Sequence, residues 1–498
     1  MRLPDSYIRK MQSLLGEEYP LYEASLDEPM NHCLRVNTLK LSVPEFLEIC
    51  PFELTPVPWT DNAFYYDASI FSPSKHPFYF AGLYYLQEAS ATLPAATLPI
   101  EPGDKVLDIC AAPGGKTTEL AAKLKGTGVL VSNDISASRL KALQKNVEAF
   151  GAENVIITCE TPERLASHFG QYFDKILIDA PCSGEGMFRK SSSMVTAWEQ
   201  NGNEKFAAIQ RSILDEIPKL LKPGGMILYS TCTFDTMEDE EQVMYLRSLD
   251  PSLEIVPINM CEGFVPGYMI DGADETIKYT AHLFPHRVHG EGHYVSLLKK
   301  MTGDEVAEGE SSSNILDGDA SNVMYNGGSF VSDYKIKSIG KLPDDAEEFL
   351  KHIISGGNDS ASVKNLLKRS NLELIKDRLF LVPDGVPDIK GLRTMRTGIY
   401  IGELKKNRFE PSQSLAMLLK ADNFDNVLDL SADSNNVYRY LRGETLDVDA
   451  LELATTFDKN ELKNGWVLVC VAGFPLGFAK NTGGTIKNKY LPGWRMTS

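Results

Sequence analysis

The stretch ILIDAPCSGEGMFRK, residues 176–190, places a short apolar run directly before a polar turn that contains Cys182. The stretch YSTCTF, residues 229–234, places Cys232 in the same way after the apolar run at 226–229. Apolar runs of this length, bounded by Pro or Gly, predict buried parallel strands. Because ligands of an open α/β sheet bind beyond the carboxyl ends of its strands, we expect both cysteines on one rim.

A single cysteine is more often a small buried apolar residue than a reactive group. Two cysteines in polar turns, each directly after a predicted strand, favour a functional pair instead. Cys182 and Cys232 therefore form a candidate active site with two thiols.

The composition is that of an ordinary globular protein, with 43% hydrophobic and 24% charged residues in a chain of 498. This length predicts about three domains. The formal net charge of −18 argues against non-specific nucleic-acid affinity, so a basic face has to be local. The eight cysteines include no CxxC pair, which argues against a disulfide framework and a structural zinc site. We see no signal peptide and no long apolar run, and we expect a cytoplasmic protein that does not contact membranes.

Strand and helix patterns alternate between about residues 101 and 300, which predicts a Rossmann-like, doubly wound α/β sheet. Its strands are expected at 105–109, 129–132, 155–158, 176–178 and 226–229. We predict a small N-terminal α+β lobe at 1–95, the α/β domain at 96–301, a linker at 302–335, an intermediate α/β module at 336–405 and a mixed α/β module at 406–498. In the lobe, helical spacing of apolar residues predicts a helix over 82–94.

The sequence DICAAPGGKT, residues 108–117, predicts a glycine-rich turn between the first strand and a helix. Its small residues would let a ligand approach the backbone, and the helix N-terminus offers free N–H groups. Asp134 follows the second strand, where a carboxylate can accept hydrogen bonds from two ribose hydroxyls.

Two nucleotide classes fit this turn poorly. A phosphate-binding P-loop needs glycine where Cys110 stands, and the dinucleotide motif GxGxxG is absent. A ribosylated cofactor without a triphosphate remains, and S-adenosylmethionine fits.

Two thiols near a sulfonium cofactor suit methyl transfer to carbon 5 of cytosine. That carbon is a poor nucleophile, and adding a thiolate to carbon 6 makes it enamine-like. A carboxyl group at the Watson–Crick edge of the base would assist, and a second basic group is needed when the adduct breaks down. Cys232, Cys182 and Asp179 supply this set. Nearby cations expected to favour a thiolate are Lys116, Arg189 and Lys190.

Four motifs occur in order along the chain: LRVNT, CAAPGGKT, DAPCSGEG and YSTCTF. Together they closely resemble the RNA 5-methylcytosine methyltransferases, the Sun-like family, and most of all the bacterial branch that acts on 16S ribosomal RNA. The resemblance covers about residues 30–300. It implies that Cys232 is the carbon 6 nucleophile and that Cys182 assists release of the methylated product.

The resemblance also implies a cofactor, S-adenosylmethionine, and its contacts. These are Cys110, Ala111, Ala112, Pro113, Gly114, Gly115, Lys116, Asp134, Arg139 and Asp179. The chain departs from the family pattern after the third strand, where members often have an acidic residue near the adenine. Here Thr161 is at the matching position with Glu160 beside it, which leaves this contact open.

The segment at 283–295 also resembles the family, and its His286, His289 and His293 could suggest a metal site. The spacing gives no HExxH motif, and the family uses no metal. We therefore expect structural or RNA-facing roles for these histidines and no bound metal.

The C-terminal region has local basic clusters at 390–396, at 405–408 and at Lys480, Lys487 and Lys489. Solvated charge is the usual explanation of such clusters. Here GFPLG at 473–477, followed by Lys480, resembles the PUA-like RNA-binding modules appended in this bacterial branch.

These patterns favour an S-adenosylmethionine-dependent enzyme that makes 5-methylcytosine in RNA, with 16S rRNA or the small ribosomal subunit as its partner. Two alternatives stay open: methylation of tRNA or DNA by the same mechanism, and a ribosome-assembly factor that binds RNA without catalysis. The sequence shows no sign of lost chemistry, since both cysteines, the cofactor turn and Asp134 are present. No coiled coil or exposed apolar seam is evident, which predicts a monomer.

Overall fold

The computed structural model describes residues 2–302, 334–335, 339–451 and 462–497 of the chain. The linker predicted at 302–335 lies almost entirely outside these residues. Within them, no helix combines the length and the apolar character needed to cross a membrane.

The N-terminal lobe contains four short helices and a small antiparallel sheet. The helices are α1 (Asp5–Leu15), α2 (Tyr19–Ser25), α3 (Val43–Ile49) and α4 (Pro77–Phe80). The strands are β1 (His32–Val36), β2 (Thr55–Pro56), β3 (Ala63–Tyr66) and β4 (Tyr84–Gln87), in the spatial order β2-β3-β1-β4. Ser42 and Glu45 form a capping box at α3, a local signal that explains where this helix begins.

The helix predicted over 82–94 is wrong. Strand β4 occupies the first part of that segment and pairs with β1, so that Leu86 lies opposite Leu34. A helix, α5 (Leu93–Thr97), forms only beyond it. Pairing with β1 outweighs the local helical pattern, because tertiary contacts routinely override intrinsic propensity.

The central sheet confirms the predicted doubly wound α/β fold. Five parallel strands lie in the order β9-β8-β5-β6-β7: β5 (Lys105–Asp108), β6 (Val129–Asn133), β7 (Val155–Thr158), β8 (Phe173–Asp179) and β9 (Leu221–Thr231). The helices between and after them are α6 (Gly115–Leu124), α7 (Ala137–Ala149), α8 (Pro162–Phe169), α9 (Ser192–Leu214), α10 (Ile217–Leu220) and α11 (Glu240–Leu249). Apolar residues on both faces of the strands are fully buried, as parallel sheets require.

Antiparallel strands extend this sheet beyond β9. They are β10 (Leu253–Val256), β11 (Val265–Pro266), β12 (Ala281–Leu283) and β13 (His293–Lys300). β13 pairs directly with β9, and Tyr294 lies opposite Thr231. The beginning of β13 therefore meets the carboxyl end of β9, one residue before Cys232.

The C-terminal region forms two further sheets. The first has the order β14-β15-β17-β18, and the second has the order β19-β21-β22-β23-β20. The strands are β14 (Leu372–Ile375), β15 (Arg378–Leu381), β16 (Thr394–Arg396), β17 (Ile399–Lys405), β18 (Arg408–Pro411), β19 (Val427–Leu430), β20 (Leu446–Asp447), β21 (Gly465–Val471), β22 (Phe474–Thr482) and β23 (Thr485–Asn488). The helices are α12 (Asp344–Leu350), α13 (Ala361–Lys368), α14 (Gln413–Leu418) and α15 (Asn435–Leu441).

The basic cluster at 390–396 is partly buried and contributes to the fold. Strand β16 leaves the C-terminal sheets and pairs with β7 at the edge of the central sheet. Arg396 is buried there, and its guanidinium donates a hydrogen bond to the carbonyl of Ala152. The cluster at 390–396 is therefore partly a structural strand.

The N-terminal lobe and the C-terminal sheet share one hydrophobic core. Leu34, Val36 and Phe46 of the lobe belong to the same buried cluster as Leu428 and Val469. The two ends of the chain thus stabilise each other beside the central sheet.

Arg35 of β1 joins the lobe to the central domain. Its side chain is 1% exposed, and its Nε atom lies 2.9 Å from a carboxylate oxygen of Glu119 in α6. It also donates hydrogen bonds to the Gly115 carbonyl (2.7 Å) and to Thr118 Oγ1 (2.7 Å). These contacts fix the lobe against the first turns of the helix that follows the glycine-rich turn.

We expect Arg35→Leu to lower the free energy of unfolding by about 3–5 kcal/mol, because it leaves the buried Glu119 carboxylate without its cation. Arg408→Leu is the matched control, since Arg408 pairs with Glu410 at the surface and is 58% exposed. The control should cost no more than about 1 kcal/mol. Urea unfolding of both variants measures the difference, and equal losses would contradict the structural role of Arg35.

Candidate active site

A cavity of about 310 Å³ opens at the carboxyl ends of β5, β8 and β9. Many of the predicted site residues line it: Cys110, Ala111, Ala112, Pro113, Gly115, Lys116, Asp179 and Cys232. The lobe contributes residues 85–88, and β13 contributes His293. Cys182, Gly114, Asp134 and Arg139 lie around the cavity rather than on its wall.

The two cysteines are in direct contact. Their Sγ atoms are 3.2 Å apart, and the backbone N–H of Cys232 donates to Cys182 Sγ at 3.3 Å. The hydrogen bond with the Cys232 thiol, followed by burial, raises the pKa of Cys182 well above its usual value. Cys182 is therefore a protonated thiol at neutral pH, which corrects the expectation of a thiolate at this position. Of the expected cations, Lys116 and Lys190 line the cavity, whereas Arg189 binds Glu291.

A buried polar network behind the cysteines fixes both of their loops. The side-chain amide of Asn203 in α9 donates to Glu185 Oε1 and Glu238 Oε1, both at 2.8 Å. Glu238 in turn accepts the backbone N–H of Ser183 at 2.9 Å. Lys10 of α1 binds the Glu185 carboxylate from the other side. Sequence patterns did not indicate this network, because its members come from four segments without a shared motif.

Asp179 lies at the end of β8 as an engaged carboxylate. One oxygen is 2.6 Å from Lys116 Nζ, and the other accepts a hydrogen bond from Ser230 Oγ at 3.0 Å. Burial would raise the pKa of Asp179, but Lys116 and, more weakly, His293 outweigh it and lower the pKa. Asp179 is therefore ionised at neutral pH and accepts hydrogen bonds.

The glycine-rich turn leads into α6 beside the cavity. Gly114 has φ of 110°, and an added Cβ would lie 2.9 Å from Leu143 Cδ1, so only glycine fits. Asp134 is buried, and its Oδ2 atom lies 3.1 Å from Arg139 Nη1 without forming a hydrogen bond. A carboxylate oxygen with a vacant acceptor position suits a ribose hydroxyl, so the residues present fit the predicted cofactor.

Glu160 and Thr161, the open positions near the expected adenine, do not line the cavity. Glu160 is buried and accepts the backbone N–H of Arg393 at 2.6 Å. Thr161 caps α8 by accepting the N–H of Arg164. Both residues have structural partners in the segments that surround β7.

The histidines predicted to have structural or RNA-facing roles differ in their surroundings. His286 Nε2 is 3.1 Å from a Glu18 carboxylate oxygen and does not line the cavity, whereas His293 lines it. Elsewhere, Asp239, Glu240 and His282 are completely buried and close enough to share a metal ion. His282 Nε2 is already 2.7 Å from Glu240 Oε1. The absence of a bound metal stays a prediction.

Glu88 is a cavity residue that the sequence did not single out as functional. One of its oxygens accepts the backbone N–H groups of Ser90 (2.7 Å) and Glu291 (3.3 Å), and the other has no hydrogen-bond partner within the described part of the chain. Burial raises the pKa of the Glu88 carboxyl to about 7, against the lowering effect of those N–H groups.

This raised pKa links stability to pH. The unfolded chain ionises Glu88 near its ordinary pKa, so the free energy of unfolding should fall as pH rises from about 4.5 to 7. Glu88→Gln removes this loss, and the variant should exceed the wild type by about 3 kcal/mol at pH 8 and match it near pH 5. Urea unfolding at both pH values measures the effect. A difference independent of pH would contradict it.

Four protein-family models match the chain in order along its sequence. The N-terminal domain of 16S rRNA methyltransferase RsmF matches residues 3–89, and 16S rRNA methyltransferase RsmB/F matches residues 95–299. The RsmF rRNA methyltransferase first C-terminal domain matches residues 359–419, and the methyltransferase RsmF PUA domain matches residues 427–496.

Individual proteins resemble the chain over comparable lengths. Ribosomal RNA small subunit methyltransferase F of Erwinia tasmaniensis is 29% identical, over 98% of this chain and 95% of that protein. A methyltransferase homolog from Pyrococcus horikoshii is 29% identical, with a TM-score of 0.51 over 60% of this chain and all of that chain. The crystal structure of NSun6 from Pyrococcus horikoshii with SFG, an analogue of S-adenosylmethionine, has a TM-score of 0.51 and 21% identity over 60% of this chain and 98% of that chain, which shows a shared fold.

These matches confirm the resemblance drawn from the four motifs. The two-thiol cavity lies within the segment that matches the methyltransferase model, and the lobe and the C-terminal sheets match their own domain models in the same order. The chain thus matches the 16S rRNA methyltransferase RsmB/F family over residues 95–299, and its flanking segments match the further domains of RsmF in the same order.

Proposed function

We propose that this S-adenosylmethionine-dependent RNA methyltransferase methylates carbon 5 of a cytosine through a covalent adduct with Cys232, and that 16S rRNA is its substrate. The contact between the Cys182 and Cys232 thiols, 3.2 Å apart at one cavity, is the observation that carries this proposal. Ribosomal RNA as a substrate also supports a cytoplasmic enzyme, and we retain the expectation that it acts as a monomer without a metal.

The residues of the glycine-rich turn would hold the cofactor, which supplies an electrophilic methyl group. Residues 110–113 and Gly115 line the cavity, and the small residues Ala111, Ala112 and Gly115 leave room for a close approach. Asp134 would accept hydrogen bonds from the ribose hydroxyls, and Arg139 holds that carboxylate in place.

Cys232 is placed to attack the base because it lines the cavity. A bond forms from its Sγ atom to carbon 6, and the electron pair of the 5,6 double bond makes carbon 5 nucleophilic towards the methyl group. In the second half of the reaction, carbon 5 loses its proton to water, the double bond forms again and the bond between sulfur and carbon 6 breaks. The protonated Cys182 can donate a hydrogen bond to the departing thiolate of Cys232, which supports a role in product release.

Asp179 is placed to hold the Watson–Crick edge of the base. Because it is ionised, it accepts hydrogen bonds from the exocyclic amino group of cytosine or from a protonated ring nitrogen. A uracil presents a carbonyl oxygen where cytosine has the amino group, and an ionised carboxylate repels it.

The direct test of function is labelled methyl transfer to unmodified 16S rRNA, naked and in the small subunit, followed by identification of the labelled nucleoside. We expect 5-methylcytosine with wild-type protein and no product with Cys232→Ala, because the adduct cannot form. Cys182→Ala should form the adduct but release it slowly, so that protein covalently bound to RNA accumulates on denaturing gels. Full activity of Cys232→Ala, or label in another nucleoside, would contradict the proposed mechanism.

The same assay separates the alternatives. Label in tRNA or DNA but not in 16S rRNA would reassign the substrate within the same chemistry. RNA binding without any transfer would favour the ribosome-assembly factor instead.

The C-terminal sheet offers a surface that fits RNA. Trp466 of β21, Lys480 of β22 and Lys487 of β23 lie opposite one another in a row across three strands. The ammonium groups of Lys480 and Lys489 each lie 5.8 Å from the centre of the Trp466 ring. Like charges opposite each other destabilise a sheet, whereas an aromatic ring flanked by lysines suits a base and its phosphates.

We expect the triple change of Lys480, Lys487 and Lys489 to Gln to weaken RNA binding and to reduce its dependence on salt, because phosphate contacts release counterions. The matched control changes Lys364, Lys368 and Lys376, three other exposed lysines of the C-terminal region, to Gln. Filter binding at several salt concentrations measures both, with cofactor affinity as a check on folding. Equal effects of the two triple variants would show that total charge, and not this surface, governs binding.

A further inference from the structure

His293 is a buried group in the cavity that the reaction described above does not use. It is the first residue of β13, and the next residue, Tyr294, lies opposite Thr231. This register places His293 beside the loop of the Cys232 nucleophile. The side chain is 3% exposed, and its Nε2 atom lies 4.0 Å from Asp179 Oδ1.

Among the residues that the structure describes, neither ring nitrogen of His293 has a hydrogen-bond partner. The Gly292 carbonyl has a raising effect on the pKa of His293, but its geometry does not meet that of a hydrogen bond. By contrast, the buried ring of His282 has a carboxylate oxygen 2.7 Å from Nε2. Burying a polar group without a partner destabilises the fold, so an unsatisfied imidazole at an active site points to a partner gained when substrate binds.

His293 is neutral at physiological pH. Burial, followed by the positive charge of Lys116, lowers its pKa to about 3, against the opposing effect of Asp179. A group with this pKa is too weak a base to accept the carbon 5 proton. A neutral imidazole still has one N–H to donate, and an oxygen of the ionised Asp179 carboxylate lies 4.0 Å from its Nε2 atom.

We propose that His293 is a positioning residue for Asp179, whose Oδ1 atom accepts the imidazole N–H when the target base fills the cavity. This inference rests on the proposed function. Asp179 is then held by three donors from three elements: Lys116 of α6, Ser230 of β9 and His293 of β13. Catalytic hydrogen bonds are often long before substrate binds, and the 4.0 Å gap needs only a small closing movement.

The orientation of Asp179 affects which base the cavity accepts. A carboxylate fixed by three donors keeps its remaining lone pair directed at the amino group of cytosine. Without the third donor it can turn, and a small displacement of a positioned group is enough to slow a reaction about a hundredfold. His293 therefore contributes to the preference for cytosine over uracil through Asp179.

The test compares three substitutions of His293 with one control substitution, all in the full-length enzyme. His293→Phe keeps the ring volume without a donor, His293→Asn and His293→Gln keep an N–H, and His32→Phe at the exposed start of β1 is the control. We expect His293→Phe to lower kcat about tenfold to a hundredfold, with S-adenosylmethionine affinity and thermal stability close to wild type. At least one of the Asn and Gln variants should recover most of the rate.

The dependence of kcat on pH is a second measurement, and it would not change if His293 served only to pack the core. Loss of a donor raises the pKa of Asp179, so the acidic limb of kcat should move to higher pH in His293→Phe. The other titratable groups at this cavity are unchanged in every variant: Tyr85, Glu88, Asp108, Cys110, Lys116, Lys190 and Cys232.

Three results would overturn the inference. These are a wild-type rate in His293→Phe, an unmoved acidic limb, or equal losses in the Phe, Asn and Gln variants. Wild-type protein that binds S-adenosylmethionine but transfers no methyl group to any RNA would remove the proposed function and the inference together.

Discussion

The contact between two thiols at the ends of β8 and β9 is the constraint on which the rest of the site depends. A separation of 3.2 Å between Cys182 and Cys232 requires both loops to hold fixed positions. Two buried carboxylates hold the loops in these positions, because Glu185 and Glu238 both accept hydrogen bonds from the side-chain amide of Asn203. Each carboxylate is costly to bury without its partners, so the network rigidifies the loops as one unit.

Electrostatic interactions set the protonation states of three groups at the active site. Lys116 keeps Asp179 ionised, and the same positive charge, together with burial, keeps His293 neutral. The hydrogen bond from one thiol to the other keeps Cys182 protonated. The charge of Lys116 and the contact between the thiols therefore give the three groups different protonation states. Asp179 is an anionic acceptor, His293 is a neutral donor, and Cys182 is a thiol that can assist a leaving group.

The N-terminal lobe and the C-terminal sheets pack against the central domain or against each other. Arg35 ties the lobe to the helix after the glycine-rich turn, and the lobe shares its core with the C-terminal sheet. Strand β16 also returns to the edge of the central sheet. The surface formed by Trp466 and its flanking lysines is therefore carried by a sheet packed against the lobe that borders the active site.

The sequence by itself determined the central sheet, the turn at 108–117 and the two cysteines, because short apolar runs and the motifs after them are local signals. Only the tertiary structure decided that residues 84–87 form a strand, since pairing with β1 outweighs their helical spacing. The same holds for Asn203 and Glu238, which lie far apart in the chain and match no motif, and for the contact of His293 with the cavity, which its segment did not indicate. Their roles come from burial and from neighbours in space, and a linear pattern contains neither.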